Sequence, residues 1–283
     1  MSSKLQLAIT SSLILASAVP AHSQPMSEAD MAEVQLALNR GQLLYTYDQA
    51  AWHGTDAMVE DVQAQGRMDE LTSKAGGWVI READQQSLEF VIFDKSPDAP
   101  KLLYAARLTE GGTKVVSRGF LSGDKAAPDG ATLKLISAHR AALAAISGKS
   151  LLRCANRAYN IAVLPPKKDG DIPVFLLTPQ TDNAQVPFGG QTRIVVAADG
   201  AVGDPHPFTK TCLNFPTAKS KKLPEALVAS QLLDPLPTEI DVFTMFASGL
   251  PFYVYTPDGR TWAVESSGGQ ARVRLIPDKP RKD

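Results

Sequence analysis

Histidine and cysteine are scarce in this chain, whose 283 positions hold four histidines and two cysteines. So few imidazoles do not build a histidine-rich metal centre. The two cysteines also lack the C-x-x-C spacing or neighbouring histidine that zinc or a redox motif requires. The sequence contains no G-x-S-x-G, no H-E-x-x-H, no glycine-rich phosphate loop and no recognisable Cys-His pairing, so none of the familiar catalytic signatures is present. Charge of either sign is not in excess: 29 basic residues stand against 30 acidic ones. Phosphate binding needs a basic footprint, which argues against a nucleic-acid partner. Beyond residue 19 no run approaches the roughly twenty apolar residues of a membrane span. Neither a metal nor another cofactor is expected.

What is present describes an exported globular protein. Hydrophobic residues make up 44% and charged residues 21% of the chain, enough for one large or two small cores. Lys4 precedes an apolar run from Leu5 to Val19 that is short and rich in Ser and Thr, and Ala21-His22-Ser23 offers small residues at a cleavage site. This pattern predicts a signal peptide over 1–23, a mature start at Gln24, and a periplasmic or secreted location, with no transmembrane segment after cleavage. In an oxidising compartment Cys154 and Cys212 are expected to pair as a disulfide. The bridge closes a long loop and is worth about 4 kcal/mol in the chain-entropy model. The basic runs at Lys219–Lys222 and Lys279–Lys282 lie among Pro, Ser and Thr and read as solvated loop and tail.

The hydrophobic period changes along the chain. From Met26 to about Ser73 it is helical, with Ser27, Glu28 and Asp30 at the start and Gly41 expected to interrupt or bend the helix. From Trp78 to Phe120 four strand-like runs, separated by turn-rich pieces, predict an antiparallel meander. A helix follows over about Thr132–Ser147, carrying His139 and Arg140. After Cys154 strands return at Tyr159–Leu164, Pro173–Thr178 and Thr192–Ala197. Asp169-Gly170, Asp199-Gly200 and Asp258-Gly259 mark hairpin turns. The expected class is α+β, with helices packed on antiparallel strands. The expected divisions are the leader at 1–23, a helix, meander and helix at 24–148, a hairpin-rich unit at 149–277, and a basic tail at 278–283.

Three groups of residues are candidates for function. In the first helix Tyr45, Asp48, Trp52 and Asp56 recur at three- and four-residue steps, and aromatic and carboxylate groups on one face grip a polyol or sugar. The duller reading buries Tyr45 and Trp52 and leaves Asp48 and His53 to local hydrogen bonds. In the loop DPHPFTKTC, prolines flank His206 and stiffen a segment that carries Thr209 and Lys210 beside Cys212, a candidate binding loop.

The third group lies between Leu223 and Glu265. Thr238 caps a helix carrying Ile240, Phe243, Met245 and Phe246; Gly249 stops it; and Phe252–Thr256 and Arg260–Val264 form a hairpin. Asp241 reads as a first-turn carboxylate that the helix dipole stabilises by about 0.3 to 1 kcal/mol. Over about forty residues, PTEIDVFTMFASGLPFYVYTPDG and the strand before it resemble the last third of a JAMM-type metallopeptidase domain. In that family a His-x-His and the Asp of a Ser-x-x-Asp hold zinc. The resemblance places Asp241 at the zinc Asp, Thr238 at the Ser, and Val228 and Ser230 at the two histidines. It therefore implies a degenerate domain without the two imidazoles. The sequence favours a non-catalytic binding or envelope-associated module, with an envelope protein or peptidoglycan as candidate partner. The alternative that the family implies is a zinc-dependent hydrolase of peptide or peptidoglycan bonds.

Overall fold

A computed structural model of the protein describes residues 26–277. The expected leader over 1–23 and the basic tail over 278–283 lie outside the described residues. The first element, α1 (Glu28–Gln65), is a helix of 38 residues. The Asp30 N–H donates to Ser27 Oγ at 3.0 Å at its start, and Gly66 ends it in the left-handed region at φ 64. Its buried positions include Val34, Ala37, Gly41, Leu44, Tyr47, Ala50, Gly54 and Ala57, a stripe in steps of three and four.

The helix runs through Gly41 without interruption, which corrects the expected break. Gly41 serves close packing instead: a Cβ there would lie 2.5 Å from Val242 Cβ and 2.6 Å from the Glu239 carbonyl oxygen. The same holds at Gly54, where an added Cβ would meet Phe90 at 2.5 Å. A helix loses stability at each internal glycine, and here the close approach of neighbouring elements offsets that cost.

A short helix, α2 (Met68–Lys74), leads into β1 (Ala75–Asp84), followed by β2 (Ser87–Asp94), β3 (Leu102–Thr109) and β4 (Lys114–Phe120). These pair antiparallel in chain order, as the alternation predicts. Successive residues of this sheet enter opposite cores. Ile80, Phe90, Ile92, Tyr104, Ala106 and Leu108 pack in one cluster with α1, whereas Val79, Val91, Phe93, Leu102 and Ala105 join a second. The second cluster is closed by α3 (Gly130–Ile146), which Asp129 caps by accepting the Thr132 N–H at 2.7 Å.

The chain then forms β5 (Asn160–Val163), β6 (Ile172–Leu177), β7 (Gln185–Phe188), β8 (Thr192–Val196), β9 (His206–Pro207) and β10 (Leu213–Pro216). One sheet has the order β5-β6-β8-β9, and β7 pairs with β10 beside it. Cys154 and Cys212 are bridged as expected, with Cα atoms 5.4 Å apart, and tie the segment after α3 to the start of β10.

The last sheet contains β11 (Leu227–Ser230), β12 (Phe252–Tyr255), β13 (Thr261–Ser267) and β14 (Gln270–Ile276) in that order. β11 and β12 are parallel, so α4 (Glu239–Ser248) is the crossover that joins them. Glu239, 2% exposed at the start of α4, accepts from Arg193 of β8 and from Arg40 Nη2 of α1, the latter at 3.5 Å. Arg260 performs a similar clamp at the β12–β13 turn, donating to Asp258 and, at 2.7 Å, to Asp30 Oδ2. Among the described residues four α-helices and fourteen strands make an α+β fold, and no helix is long and apolar enough to cross a membrane.

Candidate functional site

The long α1 presents two faces. Leu44, Tyr47, Ala50 and Gly54 go to the core, and the positions one residue further on form one wall of a cleft of about 520 Å³. Tyr45, Asp48, Gln49, Trp52 and Thr55 line this wall. The end of β6 with Gln180, the β7 residues Val186 and Pro187, Thr217–Lys219, and the C-terminal turn of α4 supply the rest. Trp78 from β1 lies on the floor with Leu177.

The aromatic groups are fixed by packing. Tyr45 stacks on Phe246 at 5.2 Å between ring centroids, with planes 16° apart, and meets Phe243 edge-on at 6.4 Å. Trp78 tilts against Phe90 at 6.2 Å. Trp52 stacks on His53 at 5.3 Å, remains 41% exposed, and has Lys219 Nζ 5.5 Å above its ring. The polar framework is anchored too: Thr178 Oγ1 donates to the Gly189 carbonyl at 2.6 Å and Thr217 Oγ1 to the Asn183 carbonyl at 2.7 Å.

Asp48 is the exception. Among the described residues no donor lies within hydrogen-bond distance of its carboxylate and no cation pairs with it. The side chain keeps partial access to the cleft, yet protein surrounds it on nearly all sides, and the lost hydration pushes its pKa up to about 7. Burial, and then the charge of Asp48, hold the Tyr45 phenol above its ordinary value. A half-buried carboxylate without a protein donor leaves its hydrogen bonds to whatever fills the cleft.

The structure thus brings together Tyr45, Asp48 and Trp52 from the predicted stripe, while Asp56 is exposed and does not line the cleft. The His206 loop lies elsewhere. His206 Nε2 is 3.1 Å from Asp234 Oδ1, and Thr209 Oγ1 accepts the Gly190 N–H at 3.2 Å, so both side chains fasten the loop. Lys210 is exposed. His139 is a core residue, 3% exposed and edge-on to Phe93, with its pKa lowered to about 4 by burial.

The JAMM-like positions do not share an opening. Val228 and Ser230 alternate outward on β11, Val228 being 66% exposed, whereas Asp241, in the first turn of α4, is 0% exposed. Both Asp241 oxygens accept from Gln231 Nε2, at 2.9 and 2.8 Å, and Oδ2 also accepts from the Thr238 N–H at 2.7 Å and Thr238 Oγ1 at 3.0 Å. Valine and serine offer no imidazole, and the one carboxylate is already spent on the helix cap, so this donor set does not fit a zinc ion. Among the described residues no group of three or more His, Cys, Asp or Glu is placed to hold a metal.

Compared with protein-family models, curated proteins and solved structures, the chain matches none of them. The cleft residues that sequence reasoning missed are Trp78, Phe243, Phe246 and Lys219. Phe243 and Phe246 read as core of α4, and Lys219 as part of a solvated run. Their convergence on α1 depends on contacts across roughly 200 residues of chain, for which no local signal exists.

Proposed function

We propose that the protein is an exported, non-catalytic binding module and that the cleft along α1 is its ligand site. The observation that carries this reading is the finished aromatic wall around one carboxylate without a protein partner. Concave sites lined by aromatic groups with a few convergent polar groups are the usual form of small-molecule sites. The leader-like N-terminus and the Cys154–Cys212 bridge support export. The cleft offers a single carboxylate, whereas carboxylate-based hydrolysis works with a pair. It also presents no cysteine or histidine that could act as nucleophile or base. Binding is therefore the activity its chemistry supports.

A thermal-shift screen of small metabolites against the wild type and Trp52→Ala tests the reading. Compounds that raise Tm in the wild type and fail to do so in Trp52→Ala support it. A screen without hits, or hits indifferent to Trp52, overturns it.

A further inference from the structure

We infer that the cleft takes an organic cation, a protonated amine seated with its charge at Asp48 and its carbon body against the faces of Tyr45, Trp52 and Trp78. This rests on the cleft being a ligand site and names the class of its occupant.

Two observations favour a cation. The first is the unpaired carboxylate. An ionised Asp only accepts hydrogen bonds, and Asp48 has no donor among the described residues. A ligand ammonium supplies both a donor and the opposite charge, and such charge-assisted bonds are roughly twice as strong as those a neutral hydroxyl makes. The second is the aromatic wall, whose ring faces attract cations. The fold already shows this preference, since Lys219 places its own ammonium 5.5 Å over Trp52. The carboxamides of Gln49, Asn160 and Asn183 belong to the same lining; they both donate and accept, so they serve an amine without distinguishing it from a polyol. An anion would meet Asp48 as a like charge, and a neutral polyol would leave that charge uncompensated.

Tyr45 and Asp48 from α1 and Lys219 from the segment after β10 are the titratable groups lining the cleft; β6, β7 and α4 bring none. Burial holds Tyr45 above its ordinary value and Asp48 at about 7, so a change in cation affinity between pH 5.5 and 8 belongs to Asp48. His53 reaches this arrangement through its stacking on Trp52, and His53→Gln controls for it.

The test is isothermal titration calorimetry on the mature chain with three probes: benzylammonium, its neutral counterpart benzyl alcohol, and glucose. Benzylammonium is expected to bind wild type at pH 8 with Kd of about 10 mM or tighter, the range a ligand of about eight heavy atoms reaches. It should bind at least about tenfold more tightly than benzyl alcohol, and weaken about tenfold in Asp48→Asn. Lowering the pH to 5.5 should weaken it about tenfold or more in wild type and leave Asp48→Asn unchanged. Lys219→Ala, which removes a like charge from the rim, should leave the affinity unchanged or tighten it. Equal binding of benzylammonium and benzyl alcohol, absence of benzylammonium binding, or weakening in Lys219→Ala without weakening in Asp48→Asn overturns the cation. Glucose binding that depends on Trp52 and ignores Asp48→Asn overturns the cation while keeping the cleft as a ligand site. That result separates this failure from failure of the binding reading.

Discussion

Asp48 and Asp241 are a half-buried and a fully buried carboxylate in one molecule, and they are treated in opposite ways. Burial raises both, Asp48 to about 7 and Asp241 to about 6. Asp241 is fully enclosed and surrounded by donors: Gln231, the Thr238 N–H and the Thr238 hydroxyl. These bonds offset part of the desolvation and hold the first turn of α4 to the end of β11. Asp48 is less enclosed, and no donor was built for it. Burial of a charge is tolerated where hydrogen bonds return what hydration gave. Asp241 meets that condition through the fold, and Asp48 meets it through whatever fills the cleft, solvent or ligand. The contrast separates a carboxylate that holds structure from one that, on the reading proposed above, is kept for a ligand.

The largest expected effect is a control that touches neither carboxylate. Cys154→Ser removes the bridge across the 58-residue separation and should cost about 4 kcal/mol, read by denaturant unfolding. Thiol titration of the denatured, unreduced wild type should find essentially no free thiol. The pH dependence of stability should survive this substitution unaltered, and a changed slope would mean that the bridge, rather than the two aspartates, sets it.

Asp241→Ala comes next. It strands a buried Gln231 amide and the Thr238 N–H, each costing about 1 to 3 kcal/mol when left unpaired, for a loss of about 3 kcal/mol in all. The sequence alone suggested a mild outcome for this residue, about 0.3 to 1 kcal/mol from the helix dipole. That figure holds for an exposed first-turn carboxylate, and Asp241 is 0% exposed. A loss below about 1 kcal/mol would make the two aspartates alike after all.

That revision shows where sequence reasoning reached and where it stopped. The meander was legible because alternation of apolar residues sets the faces of each strand, and Ser27, Asp129 and Gly249 mark helix ends by their own chemistry. Tyr45, Asp48 and Trp52 were legible as a stripe because helical spacing fixes which residues share a face. Gly41 was misread as a break, since a glycine at a helix crossing looks identical in sequence to one that ends a helix. β14 went unseen although Gly268-Gly269 and the alternating Ala271, Val273 and Leu275 announce it. The depth of Asp241, the parallel pairing of β11 with β12 and the arrival of α4 opposite Tyr45 follow from long-range packing. No local pattern encodes them.

The pH dependence comes third in size. A carboxyl whose folded pKa lies above its unfolded value binds more protons when folded, so its contribution is present at low pH and is lost as pH rises through the folded value. Asp48 and Asp241 therefore lower stability as pH rises from about 4 towards 7 and 6. His139, held at about 4, acts in the opposite sense and lowers stability as pH falls below its unfolded value. The three overlap below about pH 7 and partly cancel, leaving Asp48 as the main contributor above it. Thermal unfolding should show wild-type stability falling by about 0.5 kcal/mol between pH 6.5 and 8, and Asp48→Asn should remove that fall and be the more stable protein at pH 8. A loss of stability in Asp48→Asn would mean that Asp48 has a structural partner and that the contrast with Asp241 is false.

The smallest expected change in stability is at Trp52, and it isolates function from fold. The ring is 41% exposed, stacks on a helical neighbour one residue away, and belongs to neither buried core cluster, so little apolar surface returns to water when it is removed. Trp52→Ala should shift stability by less than about 0.5 kcal/mol, as surface substitutions usually do. A large aromatic left half in water, with an ammonium over its face and a bare carboxylate one helical turn away, is better placed to hold a ligand than to hold the fold. If Trp52→Ala melts with wild-type cooperativity yet no longer responds to the compounds that stabilise wild type, the cleft face of α1 is kept for binding. If it instead loses several kcal/mol, Trp52 is core that the chain left partly uncovered, and the division of α1 into a structural face and a binding face fails with it.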